Sequence, residues 1–229
     1  MKILMFGRGV ISTQYGWALE KAGHTVEFYV RPGRIAEYGN AVALNILDGR
    51  VGFRGKAIKE SWPVTLKEDI PENHNYDLII VSVKHTQFKE AVDFLSSKIG
   101  NATVLIFNNF WNEPLKETAL LPQDQLVWGF PGAGGEFNHE GVLNGAFLKR
   151  VTFGTFNTKL TERDKTVRNL FYTSGFKIAE QNDIRSYLFI HFAVNAGMHS
   201  QSLKMDSITE AVNNSLSWNN TSVNNILNN

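Results

Sequence analysis

A short apolar strand that runs straight into Gly7, Gly9 and Ser12 limits what this chain can become more than any other stretch. Lys2 to Phe6 reads as the strand, and the three residues after it occupy the fixed positions of a G-x-G-x-x-G turn. Each position has a physical purpose, since Gly7 permits the tight turn, Gly9 lets main chain approach a pyrophosphate, and a small Ser12 lets the next helix pack on the strand. Phosphates would then sit at the N-terminus of a helix over 10–22, where unpaired N–H groups and the helix dipole favour negative charge. Gly23-His24 stops that helix, and a β-rich run, Val26 to Val30, follows at the spacing of a dinucleotide-binding unit. The same pattern also suits a glycine turn in an α/β sheet that binds nothing.

The end of the second strand bears on which dinucleotide is expected. An acidic residue there takes a ribose 2′-hydroxyl, whereas arginine accommodates a 2′-phosphate, and the strand exits into Arg31 and Arg34. This favours NADP, although two arginines in a loop also suit a plain solvated surface. Glu27 lies inside the strand, too early for the acidic role, and is expected on the solvated side of the sheet. With 43% hydrophobic residues and 229 in all, the chain can bury a sizeable core in one or two domains. A net charge of +1 with scattered Lys and Arg argues against a nucleic-acid surface. The absence of cysteine excludes disulfides and thiol chemistry and fits a reducing compartment. No apolar run reaches the roughly 18 residues of a membrane span, and the first residues read as strand rather than signal peptide, so the expectation is a soluble, cytoplasmic protein.

Further along, residues 39–55 form a turn-rich excursion in which Asp48-Gly49 signals a hairpin. Tyr76 to Val83 and Thr103 to Phe107 are apolar on both faces, as central parallel strands are. The first ends in Lys84-His85-Thr86, with Thr86 expected to cap a helix to about Lys98, and the second ends in Asn108-Asn109. Leu126 to Phe130 adds a strand that leads into a glycine-rich turn over 131–135, either a second place for main chain to approach a ligand or a flexible corner. Gly141 to Phe156 reads as a hairpin at the far edge, Thr161 to Ser174 as a helix capped by Thr161 and stopped by Gly175, and Lys177 to Ala179 as a last strand. The alternation predicts an α/β fold with a Rossmann-type, doubly wound parallel sheet over residues 1–180. In such sheets ligands bind beyond the carboxyl ends of the strands, where Gly7, Gly9, Arg31, Lys84 and Asn108 all fall. Residues 181–229 read as a truncated all-helical part: a largely buried helix from Ile184, in which Tyr187, His191, Asn195 and His199 form a polar stripe, and then an Asn- and Ser-rich tail. The stripe faces water, pairs within the core, or lines a cleft at the ligand edge of the sheet.

Lys2-Ile3-Leu4-Met5-Phe6-Gly7-Arg8-Gly9-Val10-Ile11, Val83-Lys84, Leu105-Ile106-Phe107-Asn108-Asn109 and Ile184-Arg185 through His191 to Asn195 occur in that order. In this the chain resembles the ketopantoate reductase (2-dehydropantoate 2-reductase) family, from Met1 to about Leu203. The resemblance implies a Rossmann domain followed by a helical domain, with NADPH reducing a 2-keto acid in the cleft between them. It implies a cofactor site of Gly7, Arg8, Gly9, Val10, Ile11, Ser12, Arg31, Arg34, Lys84 and Asn108, and a catalytic set of Lys84, Asn108, Asn195 and His191. His191 stands where the family has its catalytic lysine, as in a looser branch that also carries a Phe-Pro-Gly-Ala-Gly-Gly stretch like residues 130–135. The chain also ends after about one long helix and a tail, and nothing in it matches the serine and glutamate that the family's helical domain brings to substrate. The expectation is an NADP-dependent reductase of a small carbonyl compound, paired as a homodimer through the C-terminal helix. The rival is a catalytically silent NADPH-binding or regulatory protein.

Overall fold

The computed structural model describes residues 1–205, with side chains as far as residue 197. The Asn- and Ser-rich tail and the side chain of His199 lie outside the described residues. The chain opens with β1 (Lys2–Phe6), α1 (Val10–Glu20), β2 (Thr25–Tyr29) and a one-turn helix α2 (Ile35–Tyr38). Then come β3 (Ala41–Gly49), β4 (Lys56–Pro63), β5 (Thr65–Lys67), β6 (Leu78–Val81), α3 (His85–Leu95), β7 (Thr103–Ile106), α4 (Pro114–Glu117) and β8 (Leu126–Phe130). The remainder is β9 (Ala133–Phe137), β10 (Leu143–Leu148), β11 (Arg150–Gly154), α5 (Glu162–Thr173), β12 (Lys177–Gln181) and α6 (Ile184–Met205).

The main sheet has the order β12-β11-β8-β7-β6-β1-β2-β5. Six of its strands, β5-β2-β1-β6-β7-β8, run parallel, in the 3-2-1-4-5-6 arrangement of a doubly wound fold. β6, β7 and β8 are buried at every position, which is why their sequences show no alternation. β11 joins antiparallel to β8 and carries β12 parallel on its outer side. The winding direction reverses between β1 and β6, so the crevice for a ligand opens beyond Phe6 and Val81.

A second sheet, β4-β3-β10-β9, lies on the other side of α1. β3 alternates strictly, with Val42, Leu44, Ile46 and Asp48 turned inward. These side chains join Tyr15 and Trp17 of α1, Leu143 and Phe147 of β10, and the main-sheet strands in one core. α1 is thus held between two sheets, and every residue from Ser12 to Leu19 is buried.

Several local expectations change. The excursion over 39–55 is a long strand, and its hairpin turns over 50–55 rather than at Asp48-Gly49, because the inward Asp48 carboxylate accepts from the main chain and guanidinium of Arg50. Residues 133–137 are strand β9, not a turn. Nor is Gly141 to Phe156 a hairpin: β10 pairs with β9 and β3, whereas β11 enters the main sheet, since Phe147 faces α1 while Val151 and Phe153 complete the main sheet's core. α3 starts at His85 behind Lys84, with no side-chain cap from Thr86, and ends at Leu95. Glu27 is not simply solvated, because the Tyr76 hydroxyl donates to it and the Lys2 ammonium stands 4.0 Å away. α5 is as expected: Thr161 and Asp164 form a reciprocal capping box, and Gly175, at φ 89°, ends the run.

Two compact units divide the chain, Met1–Arg185 and Ser186–Asn229, so the break falls in the first turn of α6. That helix is less buried than its composition suggests: Ile184 and Leu188 are buried, but Ile190 and Val194 are exposed. No helix among the described residues is long and apolar enough to cross a membrane.

Candidate functional site

β1 ends at Phe6, and Gly7 turns the chain at φ 95°, a conformation that only glycine adopts without strain. Its N–H donates to the Tyr29 carbonyl at 2.9 Å, tying the turn to the end of β2. Gly9 is the N-cap of α1 in extended conformation, and its carbonyl accepts the first helical hydrogen bond, from Thr13 at 2.9 Å. Gly9 is exposed, and a Cβ there would meet nothing nearer than the Ser82 carbonyl at 4.0 Å, so the open side of the turn has room for a ligand. The Ser12 side chain is fully buried within the first turn of the helix, and its Oγ has no hydrogen-bond partner. Arg8 likewise buries an unpartnered Nε. A glycine turn open at Gly9 and the positive end of a helix together suit a phosphate group.

The flanking edge is built by β6 and β7. Asn108 is 2% exposed; its Nδ2 donates to the Val83 carbonyl at 2.7 Å, and its Oδ1 accepts from the Val83 N–H at 3.4 Å. Both ends of the amide are therefore used to hold the exit of β6 beside the exit of β7. Lys84 follows as the exposed N-cap of α3. On the other flank, Phe6, Tyr29 and Phe94 stack at 4.7 and 4.8 Å from ring to ring, joining the ends of β1 and β2 to α3.

The arginines separate. Arg34 donates from Nη2 to the Tyr38 hydroxyl at 2.9 Å and pairs with Glu37 at 2.7 Å. Arg8 places its guanidinium 4.3 Å from the centre of the same Tyr38 ring and 5.2 Å from Phe137 of β9. Burial pulls the Arg8 pKa down from its ordinary value, and Tyr38 and Glu37 pull it back up in part. Arg31 is exposed and makes no side-chain hydrogen bond or ion pair among the described residues. Tyr38 and Phe137 escaped the sequence reading. The glycines of β9 hide its two-residue period, and one tyrosine in a short loop helix carries no signal.

A family model for ketopantoate reductase PanE/ApbA matches residues 3–158, which include the whole glycine turn and the exits of β6 and β7. The chain belongs to the ketopantoate reductase family. Among curated proteins none matches the sequence. D-mandelate dehydrogenase solved with NADH and anilino(oxo)acetate is 19% identical, with 90% of this chain and 65% of that one covered and a TM-score of 0.68. The 2-dehydropantoate 2-reductase of Geobacter metallireducens GS-15 is 18% identical over 79% of this chain and 58% of its own, with a TM-score of 0.64. The dimeric ketopantoate reductase of Staphylococcus aureus is 15% identical over 90% and 70%, with a TM-score of 0.66. At these identities the likeness is one of fold, and the chain spans about 58–70% of the length of these three proteins.

The remaining candidates of this ketopantoate reductase family member lie in the second unit. His191 and Asn195 stand one helical turn apart on α6, both partly buried, and the Tyr187 ring lies 5.4 Å from that of His191. Burial holds the His191 pKa below its ordinary value.

Proposed function

We propose that this chain is a nicotinamide-nucleotide-dependent oxidoreductase that binds NADP on its Rossmann sheet and reduces a small 2-keto acid or related carbonyl. The observation that carries the reading is the glycine turn of a ketopantoate reductase family member, open at Gly9 and set at the N-terminus of α1. The nucleotide supplies the hydride when bound. The chain supplies the rest. Main-chain groups from Gly7, Arg8, Gly9, Val10, Ile11 and Ser12 take the pyrophosphate, and guanidinium charge beside the end of β2 favours a 2′-phosphorylated ribose. Lys84 belongs to the nicotinamide edge, and Asn108 acts as a positioning residue that fixes Val83 beside it. Reduction of a carbonyl leaves developing negative charge on oxygen, which needs a proton donor and an orienting dipole. His191 and Asn195 are assigned those roles, and the assembly is a homodimer through α6.

The test is to titrate the purified protein with NADPH and NADH, then offer a panel of 2-keto acids and follow the nicotinamide absorbance. Tighter NADPH binding with oxidation on at least one keto acid is the expected result. Binding of neither nucleotide would overturn the reading. Binding without turnover would favour a silent nucleotide-binding protein, a reading that draws its weight from histidine at position 191 where the family has lysine. NADH bound in the D-mandelate dehydrogenase structure makes NAD the competing nucleotide.

A further inference from the structure

We infer that Arg8, held between the rings of Tyr38 and Phe137, is the residue that decides between a 2′-phosphorylated and an unphosphorylated dinucleotide. This rests on the nucleotide-binding reading above and adds to it a determinant outside the loop after β2.

Two cations share one ring. The Arg8 and Arg34 guanidinium carbons stand 4.3 and 4.8 Å from the centre of Tyr38. Like charges so placed repel, and only Arg34 has a direct ion pair among the described residues, with Glu37 at 2.7 Å, whereas Glu37 acts on Arg8 from a greater distance. Arg8 makes no ion pair among the described residues, keeps an unpartnered Nε, and is partly desolvated, so its charge is pre-set for an anion that the protein does not itself provide. A planar guanidinium fixed against aromatic faces loses little freedom when it binds a phosphate through two N–H groups.

Position decides which phosphate. The pyrophosphate needs only the main chain of the turn and the first turn of α1. The Arg8 side chain instead reaches Tyr38 on α2, beyond the end of β2, which is where the adenosine ribose sits in sheets of this order. Arg34 donates to the Tyr38 hydroxyl, whereas Arg31 stays out in solvent. Phe137 holds Arg8 from a second element, which makes β9, a strand of the second sheet, part of the specificity device.

The experiment measures Kd by calorimetry for NADPH, NADH, 2′,5′-ADP and 5′-AMP, with unmutated protein and with Arg8→Met, Arg8→Lys, Arg31→Ala and Tyr38→Ala. Arg8→Met should weaken NADPH and 2′,5′-ADP by about 10- to 100-fold, the range for one charged hydrogen bond, while NADH and 5′-AMP change little. Arg8→Lys should recover part of the loss, and Tyr38→Ala should fall between the two. Arg31→Ala should leave the preference intact. A preference that survives Arg8→Met, or one that Arg31→Ala removes, overturns the inference and leaves nucleotide binding standing. Equal affinity of the unmutated protein for NADPH and NADH overturns it too. Failure to bind any of the four overturns the nucleotide reading itself. Should Arg8→Met not fold, Arg8→Lys and Tyr38→Ala still decide.

Discussion

Asp48 is 3% exposed, and its carboxylate is held by Arg50, which also donates to the Ala18 and Ser174 carbonyls at 3.1 and 2.8 Å. One guanidinium therefore joins the end of β3 to the last turns of α1 and α5, over the rings of Trp17, Phe147 and Phe176. Arg50→Ala leaves a buried carboxylate without its partner and should cost about 3–5 kcal/mol in urea unfolding at pH 7. Replacing both residues by apolar ones of similar size should cost clearly less, because no uncompensated charge remains. His191 gives a second prediction at this scale. Its folded pKa lies below its ordinary value of 6.5 because burial disfavours the charged form. The unfolded chain therefore binds the proton first as pH falls, so the stability linked to His191 is present above pH 6.5 and is lost as pH drops through the folded value. His191→Gln should flatten that stretch of a Tm-against-pH curve. If His191 is the proton donor, kcat/KM should also rise as pH falls through that folded value, where the imidazolium accumulates. A profile flat through that range would assign the proton to another group.

The elements show where local signals held and where they gave way. The α5 cap was legible, because Thr161 and Asp164 satisfy each other within four residues. The glycines over 131–135 were legible as glycines but not as a strand. Their need for close approach is met by the chain itself: at Gly135, φ 145°, an added Cβ would strike the Asn144 carbonyl oxygen and lie 2.6 Å from the Gly145 Cα of β10. Gln14 of α1 meanwhile donates to the Gly134 carbonyl at 3.2 Å, and the Tyr15 hydroxyl accepts from Gly132 N–H at 3.0 Å. Gly135→Ala should destabilise by roughly 1–3 kcal/mol from backbone strain, with more from the contact. On the specificity argument it should also weaken NADPH more than NADH, because Phe137 lies two residues on. Loss of stability without a change in nucleotide preference would separate β9 from the site.

For the molecule as a whole, the proposed homodimer makes a prediction of its own. Ile190 and Val194 are exposed one turn apart on α6 and would form the centre of such an interface. Light scattering at micromolar concentration should give twice the chain mass, and Val194→Asp should shift it toward one. A monomer in both cases would remove the dimer. By itself the sequence determined what depends on near neighbours: the strand-turn-helix at Gly7, the buried parallel strands, and the helix from Thr161 to Gly175. It also placed Lys84 and Asn108 at strand exits. Only the tertiary structure decided what those residues meet. The second sheet requires Leu44 to pair with Leu143 and Gly135 with Gly145, the site's two aromatic clamps come from α2 and β9, and the Asn108 amide is taken up by Val83. The physical reason is range. A turn or a cap is fixed by steric and hydrogen-bonding terms within a few residues, whereas the register of β3 on β10 is fixed by burying Val42, Leu44, Ile46, Leu143 and Phe147 in the core shared with α1, a gain that exists only once the whole chain has folded.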